Sequence, residues 1–212
     1  MGAGAMKMKL VIITLILICI PAVSFAVYSD GFITTGEYEG SVRWYTHNPP
    51  LIVDGGGAVM ITMWNSSYLE VRSTSIPIND DWHTGGITDI WLDDYSSLLY
   101  LDGVTEEITL DEYSSAALKG GRIDAITSLQ NVITPSIDLY CQAGWELITD
   151  TSGKIFITGL WMDGTDFNIQ LINDPDYDDT WENINVIVPE PTTLILMGIG
   201  GILLRRKRAP SN

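Results

Sequence analysis

The chain has 212 residues, 46% of them hydrophobic, and 27 acidic side chains against 11 basic ones give it a formal charge of −16. A field of that sign repels phosphate backbones and anionic lipid surfaces and favours solubility, so nucleic acid is excluded as an expected partner.

In chain order, Lys7 and Lys9 precede the apolar run 10–20. Pro21 breaks it, and Ser24-Phe25-Ala26 offers small residues at the two positions that a signal peptidase reads. Residues 1–26 therefore read as a signal peptide delivered to the Sec translocon and cut after Ala26, with Ser24 and Ala26 as the recognised positions. Cys19 follows the bulky Ile18, which argues against lipid attachment. Cleavage then leaves Cys141 alone, without an intramolecular disulfide to staple the domain. Residues 27–187 keep five basic against 26 acidic residues, a charge of −21, and depend on packing for their stability.

Residues 27–173 read as one β-rich domain. Segments 59–63, 97–101, 107–110 and 154–158 are short, β-branched or alternating, and bounded by Gly, Asp, Asn and Ser. No segment has a sustained helical period, and 125–132 offers a turn or two of helix at most. Trp64-Asn65-Ser66-Ser67, Asp94-Tyr95-Ser96-Ser97 and Glu112-Tyr113-Ser114-Ser115 repeat a turn before a short apolar strand, at spacings of 30 and 18 residues. Gly85-Gly86 and Gly120-Gly121 look like a second corner. Such units bury their apolar faces only by stacking, which points to a parallel β-solenoid over 57–133. The unequal periods keep a β-sandwich as the alternative. Residues 154–172 predict a hairpin around Met162-Asp163-Gly164-Thr165, read as a cap against edge-to-edge growth.

Residues 174–187 read as an acidic linker. Its carboxylates Asp174, Asp176, Asp178 and Asp179 are the calcium candidate, because clustered carboxylates relieve their repulsion on a divalent ion. The half-loop Asp30 to Tyr38 lacks the other ligands of a calcium loop and reads as a turn and strand. His47 and His83 lie far apart, Cys141 sits among apolar and small residues, and no catalytic motif occurs. No catalytic residue and no other cofactor is assigned.

The chain then runs through Val188-Pro189-Glu190-Pro191-Thr192-Thr193-Leu194, an apolar stretch to Leu204, and Arg205-Arg206-Lys207-Arg208. The prolines fix an extended, grippable segment. The 11 residues 194–204 span about 17 Å as a helix against a bilayer core of about 30 Å, a marginal anchor unless neighbours extend it. Short apolar helices are thus expected at both termini, and the cationic cluster holds the C-terminal one on the cytoplasmic side. Residues 188–212 closely resemble the PEP-CTERM sorting signal of Gram-negative bacteria. That resemblance implies processing by an exosortase-type membrane protease, transient membrane anchoring, and delivery to the cell surface or an exopolysaccharide matrix. Segment 57–133 resembles the right-handed β-helix with Ser-Gly-Gly turns found in many such proteins, and 159–167 resembles their closing segment.

These readings favour a non-enzymatic exported surface or matrix protein associated with exopolysaccharide. One alternative is a glycan- or ice-binding module using exposed Trp82 and Trp91, although Thr62, Thr74, Thr88, Thr105, Thr109 and Thr127 form no regular ranks in the sequence. The other is a polysaccharide lyase or hydrolase on a β-helix, for which Arg122 beside Asp124 is the one local pair available.

Overall fold

A computed structural model describes residues 31–77, 85–131 and 136–189. Among these the chain is all-β: strands in two sheets and one short 3-10 turn at Thr180–Asn183, with no α-helix. One sheet runs in the order β1 (Phe32–Thr34), β3 (Leu51–Asp54), β5 (Tyr68–Ser73), β7 (Ser97–Tyr100), β9 (Ser115–Leu118), β11 (Ile137–Tyr140) and β15 (Ile184–Ile187). Every pair in it is parallel. The other holds β2 (Tyr38–Trp44), β4 (Gly57–Met63), β6 (Ile87–Leu92), β8 (Val104–Asp111), β10 (Arg122–Leu129) and β14 (Asp166–Ile172), also parallel. Beyond β14 it continues antiparallel through β13 (Ile155–Leu160) and β12 (Glu146–Thr149). From β1 to β11 the chain changes sheet at every strand; each strand up to β9 pairs with the one two places further on, while β10 and β11 pair with β14 and β15.

Like residues stack on like. Ile90, Ile108 and Ile126 align across three neighbouring strands, as do Val53 and Val71 in the other sheet, followed by Tyr100 and Leu118. All are buried in one apolar cluster fed by both sheets, which also takes in Leu98, Leu110 and Ile123. Each fully buried aliphatic contributes about 1.5–3 kcal/mol of transfer free energy. The corners are as tight as the paired glycines suggest. Gly121 has φ +80° and a Cβ there would lie 2.6 Å from the Gly103 carbonyl oxygen, so the stacked backbones leave no room for a side chain.

Several expectations are corrected. Residues 125–129 belong to strand β10 and not to a helical turn, because Ile126 packs between Ile108 and Leu171. The first serine pair is displaced by one position: Tyr68, not Ser67, stands beside Ser97, and Ser97 beside Ser115. The antiparallel pairing of a β-sandwich is absent from β1–β11 among the described residues.

The hairpin exists as β13–β14, with β12 added as a third strand. It lies in the plane of the eight-stranded sheet, occupying the free edge of β14 where another parallel strand would otherwise add. Trp161 fixes it: fully buried, tilted on Phe167 at 4.6 Å, and donating its indole N–H to the Gly121 carbonyl at 2.8 Å.

The acidic linker over 174–187 is also corrected, since Thr180 and Asn183 are buried and β15 pairs with β11 over four residues. Alternating Ile184 and Val186 supply the apolar contacts that a solvated linker would lack. The signal peptide with Ser24 and Ala26, the residues Trp82 and His83, and Glu190 to Arg208 lie outside the described residues. No helix among the described residues is long and apolar enough to cross a membrane.

Candidate functional site

The turns joining β6 to β7 and β8 to β9 are built alike. Asp93 and Asp111 each accept the N–H of the next residue on their own carboxylates, at 2.7 and 2.8 Å. Asp94 and Glu112 then take left-handed backbone, φ 55° and 52°, as does Asn65 at 58° one turn earlier. This is uncommon for residues with a Cβ and is most tolerable for Asn and Asp, whose short side chains bond locally. The N–H of Ser96 and of Ser114 closes each turn on the carbonyl of Asp93 and Asp111. Their side chains face inward with that of Ser67, all three buried, and Gln130 Nε2 donates to the Ser114 carbonyl and hydroxyl. The turns are stitched together, Asn65 N–H donating to Asp94 Oδ2 at 2.9 Å and Tyr113 N–H to the Asp94 carbonyl.

Two consequences appear at the surface. Tyr95 and Tyr113 stack at 5.0 Å with planes 8° apart while remaining 64% and 70% exposed. Beside them carboxylate oxygens of Asp93, Asp94 and Glu112 fall within 4.8 Å of one another, the one such trio of possible metal ligands among the described residues. Next to the pair lies a shallow groove of about 470 Å³ lined by Asp111, Glu112, Tyr113, Gln130, Asn131 and Tyr177. A second shallow trough of about 370 Å³ crosses small residues of the seven-stranded sheet, including Ser97, Ser115 and Ala117.

The predicted calcium residues are not brought together. Asp174, Asp176, Asp178 and Asp179 form no converging trio, because they shape the chain: Asp174 accepts the Asp176 N–H and Asp179 accepts from Asn173 Nδ2. The turn they build ends at Tyr177, whose N–H bonds the Asp174 carbonyl. Val188 and Pro189 are exposed immediately after β15. Arg122 is engaged in a two-point ion pair with Asp124, at 2.8 and 3.0 Å. Cys141 is fully buried, and burial pushes its thiol above the ordinary range, the state of a small core hydrophobe.

The threonines correct the sequence reading. Thr62, Trp91, Thr109 and Thr127 share one rank across adjacent strands. Trp91 interrupts that rank, its three threonines are each 8% exposed, and Thr127 donates to Glu107 at 2.6 Å. A flat face of free threonine hydroxyls, as an ice binder would present, is not formed there.

Like charges on neighbouring strands also perturb titration. Burial, then Glu107, raises Asp89; burial, then Asp89, Asp124 and Glu107, raises Glu106. In the turns, burial followed by the neighbouring acids raises Asp93 and Glu112, against an opposing hydrogen bond from the Asp94 N–H at Asp93. A carboxyl raised on folding contributes stability that is complete below its unfolded pKa, near 4, and is lost as pH rises through the folded value. The Tm is therefore expected to climb as pH falls from neutral toward the ordinary carboxylate range, and the climb should shrink in high salt. Below about pH 4 it should reverse, because hydrogen bonds from Ser152 and Thr165 hold Asp150 and Asp163 below their usual range. Thermal melts across this range check it, and a flat or falling Tm on mild acidification would contradict the assignment.

Comparison with known proteins locates one feature. Residues 188–208 match the family model of the PEP-CTERM protein-sorting motif. The chain thus carries the signal of an exported substrate of an exosortase, a membrane protein, anchored transiently through its C-terminal segment and then directed to the surface. No curated protein and no solved structure matches the chain.

Proposed function

We propose that this chain is a non-enzymatic surface or matrix protein, exported as a parallel β-solenoid and held among exopolysaccharides. The observation that supports the reading is the sorting motif over 188–208, the signal of an exported, exosortase-processed chain. Strands that change sheet at every step, with all pairs parallel up to β11, support a solenoid in which each coil contributes one strand to each wall. The surface favours binding over chemistry. It presents a stacked, exposed aromatic pair beside an acidic groove, and Arg122, the proton acceptor a lyase would want, is paired with Asp124.

The test is made in an exosortase-bearing host with and without polysaccharide synthesis. The protein is expected to co-purify with the polysaccharide matrix and to pass into the medium when synthesis is deleted. Equal release from both strains, or depolymerisation of the matrix by the purified protein, would reject this function.

A further inference from the structure

We propose that the groove between Tyr113 and Tyr177 binds a glycan whose sugars carry protonated amino groups, a glucosamine-type polymer. This deepens the proposed function and rests on it for the encounter with a polymer, but the argument comes from the groove itself. Tyr95 and Tyr113 are the two most exposed aromatic side chains among the described residues, and they stack nearly parallel so that the pair forms a stepped ledge. A flat aromatic face held in that way suits the apolar C–H face of a pyranose ring at little ordering cost, since tyrosine has few rotors to freeze. Tyr177 also lines the groove, 38% exposed, at the end of the turn shaped by Asp174.

The polar lining sets the charge of the ligand. Asp111 and Glu112 are on the wall, Asp93 and Asp94 lie beside Glu112, and neither lysine nor arginine lines the groove. Uronic-acid polymers would meet repulsion from these groups and from the −21 charge of residues 27–187. An ammonium carried on a sugar ring instead pairs with a carboxylate while the ring lies on Tyr113. Asn131, exposed in the lining, offers amide hydrogen bonds to sugar hydroxyls.

The experiment titrates the full-length chain, purified in non-ionic detergent, by calorimetry under mildly acidic conditions. Probes are a fully deacetylated glucosamine hexamer, its N-acetylated counterpart, a uronic-acid hexamer, spermine and calcium chloride. The expected result is saturable binding of the deacetylated hexamer, at least ten-fold tighter than the N-acetylated one, with no binding of the uronate. Tyr113→Ala should weaken it ten-fold or more while Tyr113→Phe retains it, and Glu112→Gln should weaken only the cationic hexamer; because Tyr113 is largely exposed, circular dichroism should show the folds unchanged. Spermine or calcium binding as tightly as the hexamer, equal affinity for the acetylated form, or an unaltered Tyr113→Ala variant would each overturn the proposal. Failure here with matrix retention intact rejects the groove alone, whereas loss of retention with hexamer binding intact rejects the function.

Discussion

Replacing Pro189, Glu190 and Pro191 together by alanine is expected to abolish surface delivery, leaving the full-length chain in the inner membrane of an exosortase-bearing host. The effect is all-or-none in kind because the motif is an address and not a contact in the core: Pro189 is exposed, and the last strand ends at Ile187. Proline fixes φ near −65° and disfavours helix in the residue before it; alanine does neither, so the triple substitution removes the chemistry that distinguishes the motif. The domain should fold unchanged, which the thermal melt of the variant verifies. Fractionation with mass determination provides the readout, and unchanged mass with unchanged release would sink the prediction.

The second large effect concerns the fold. Trp161→Ala should lower stability by about 3–5 kcal/mol through the cavity it leaves, with about 1 kcal/mol more from the Gly121 carbonyl that loses its donor. For a domain of this size that total corresponds to a fall in Tm of roughly 8–24 °C. The site has little means of collapsing, because Phe167 leans on the indole from one strand and Gly121 fixes it from a corner two strands away. Trp91→Ala serves as the control: at 36% exposure on the outer face it should cost far less. Similar losses for the two variants in a denaturant titration would place Trp161 outside the core.

What could be read beforehand was whatever the chain encodes locally. The alternation in 97–101 and 107–110 gave strands, and Leu98, Tyr100, Ile108, Leu110, Leu118 and Ile123 are all buried as that alternation requires. The Asp163-Gly164 pair marked the hairpin turn between β13 and β14. What escaped depends on which strand lies beside which. Ser97 and Ser115 are neighbours 18 residues apart, but Tyr68 and Ser97 are neighbours at 29, because extra residues intervene between β5 and β6. One such insertion hides both the true serine register and the rank of Thr62, Thr109 and Thr127.

The carboxylate trio was hidden for the same reason, since Glu112 reaches Asp93 and Asp94 only through the register of β8 on β6. Counting aspartates pointed to 174–179, where the residues in fact bond their own turn. Strand β15 was missed because four residues beside an acidic run carry too weak a pattern; only its partner β11 makes it a strand. The signal that could have found the tyrosine ledge was present in Asp94-Tyr95-Ser96 and Glu112-Tyr113-Ser114. An aromatic repeated just before an inward serine must point outward.

The pairing of β15 with β11 has a mechanical corollary for the moment of processing. Strand β15 ends at Ile187, and the apolar run of the sorting signal begins in the sequence at Leu194. The six residues 188–193 that separate them can span at most about 20 Å even when fully drawn out. A C-terminal segment held in the bilayer would therefore keep the domain close to the membrane, and processing there should depend on clearance as well as on affinity.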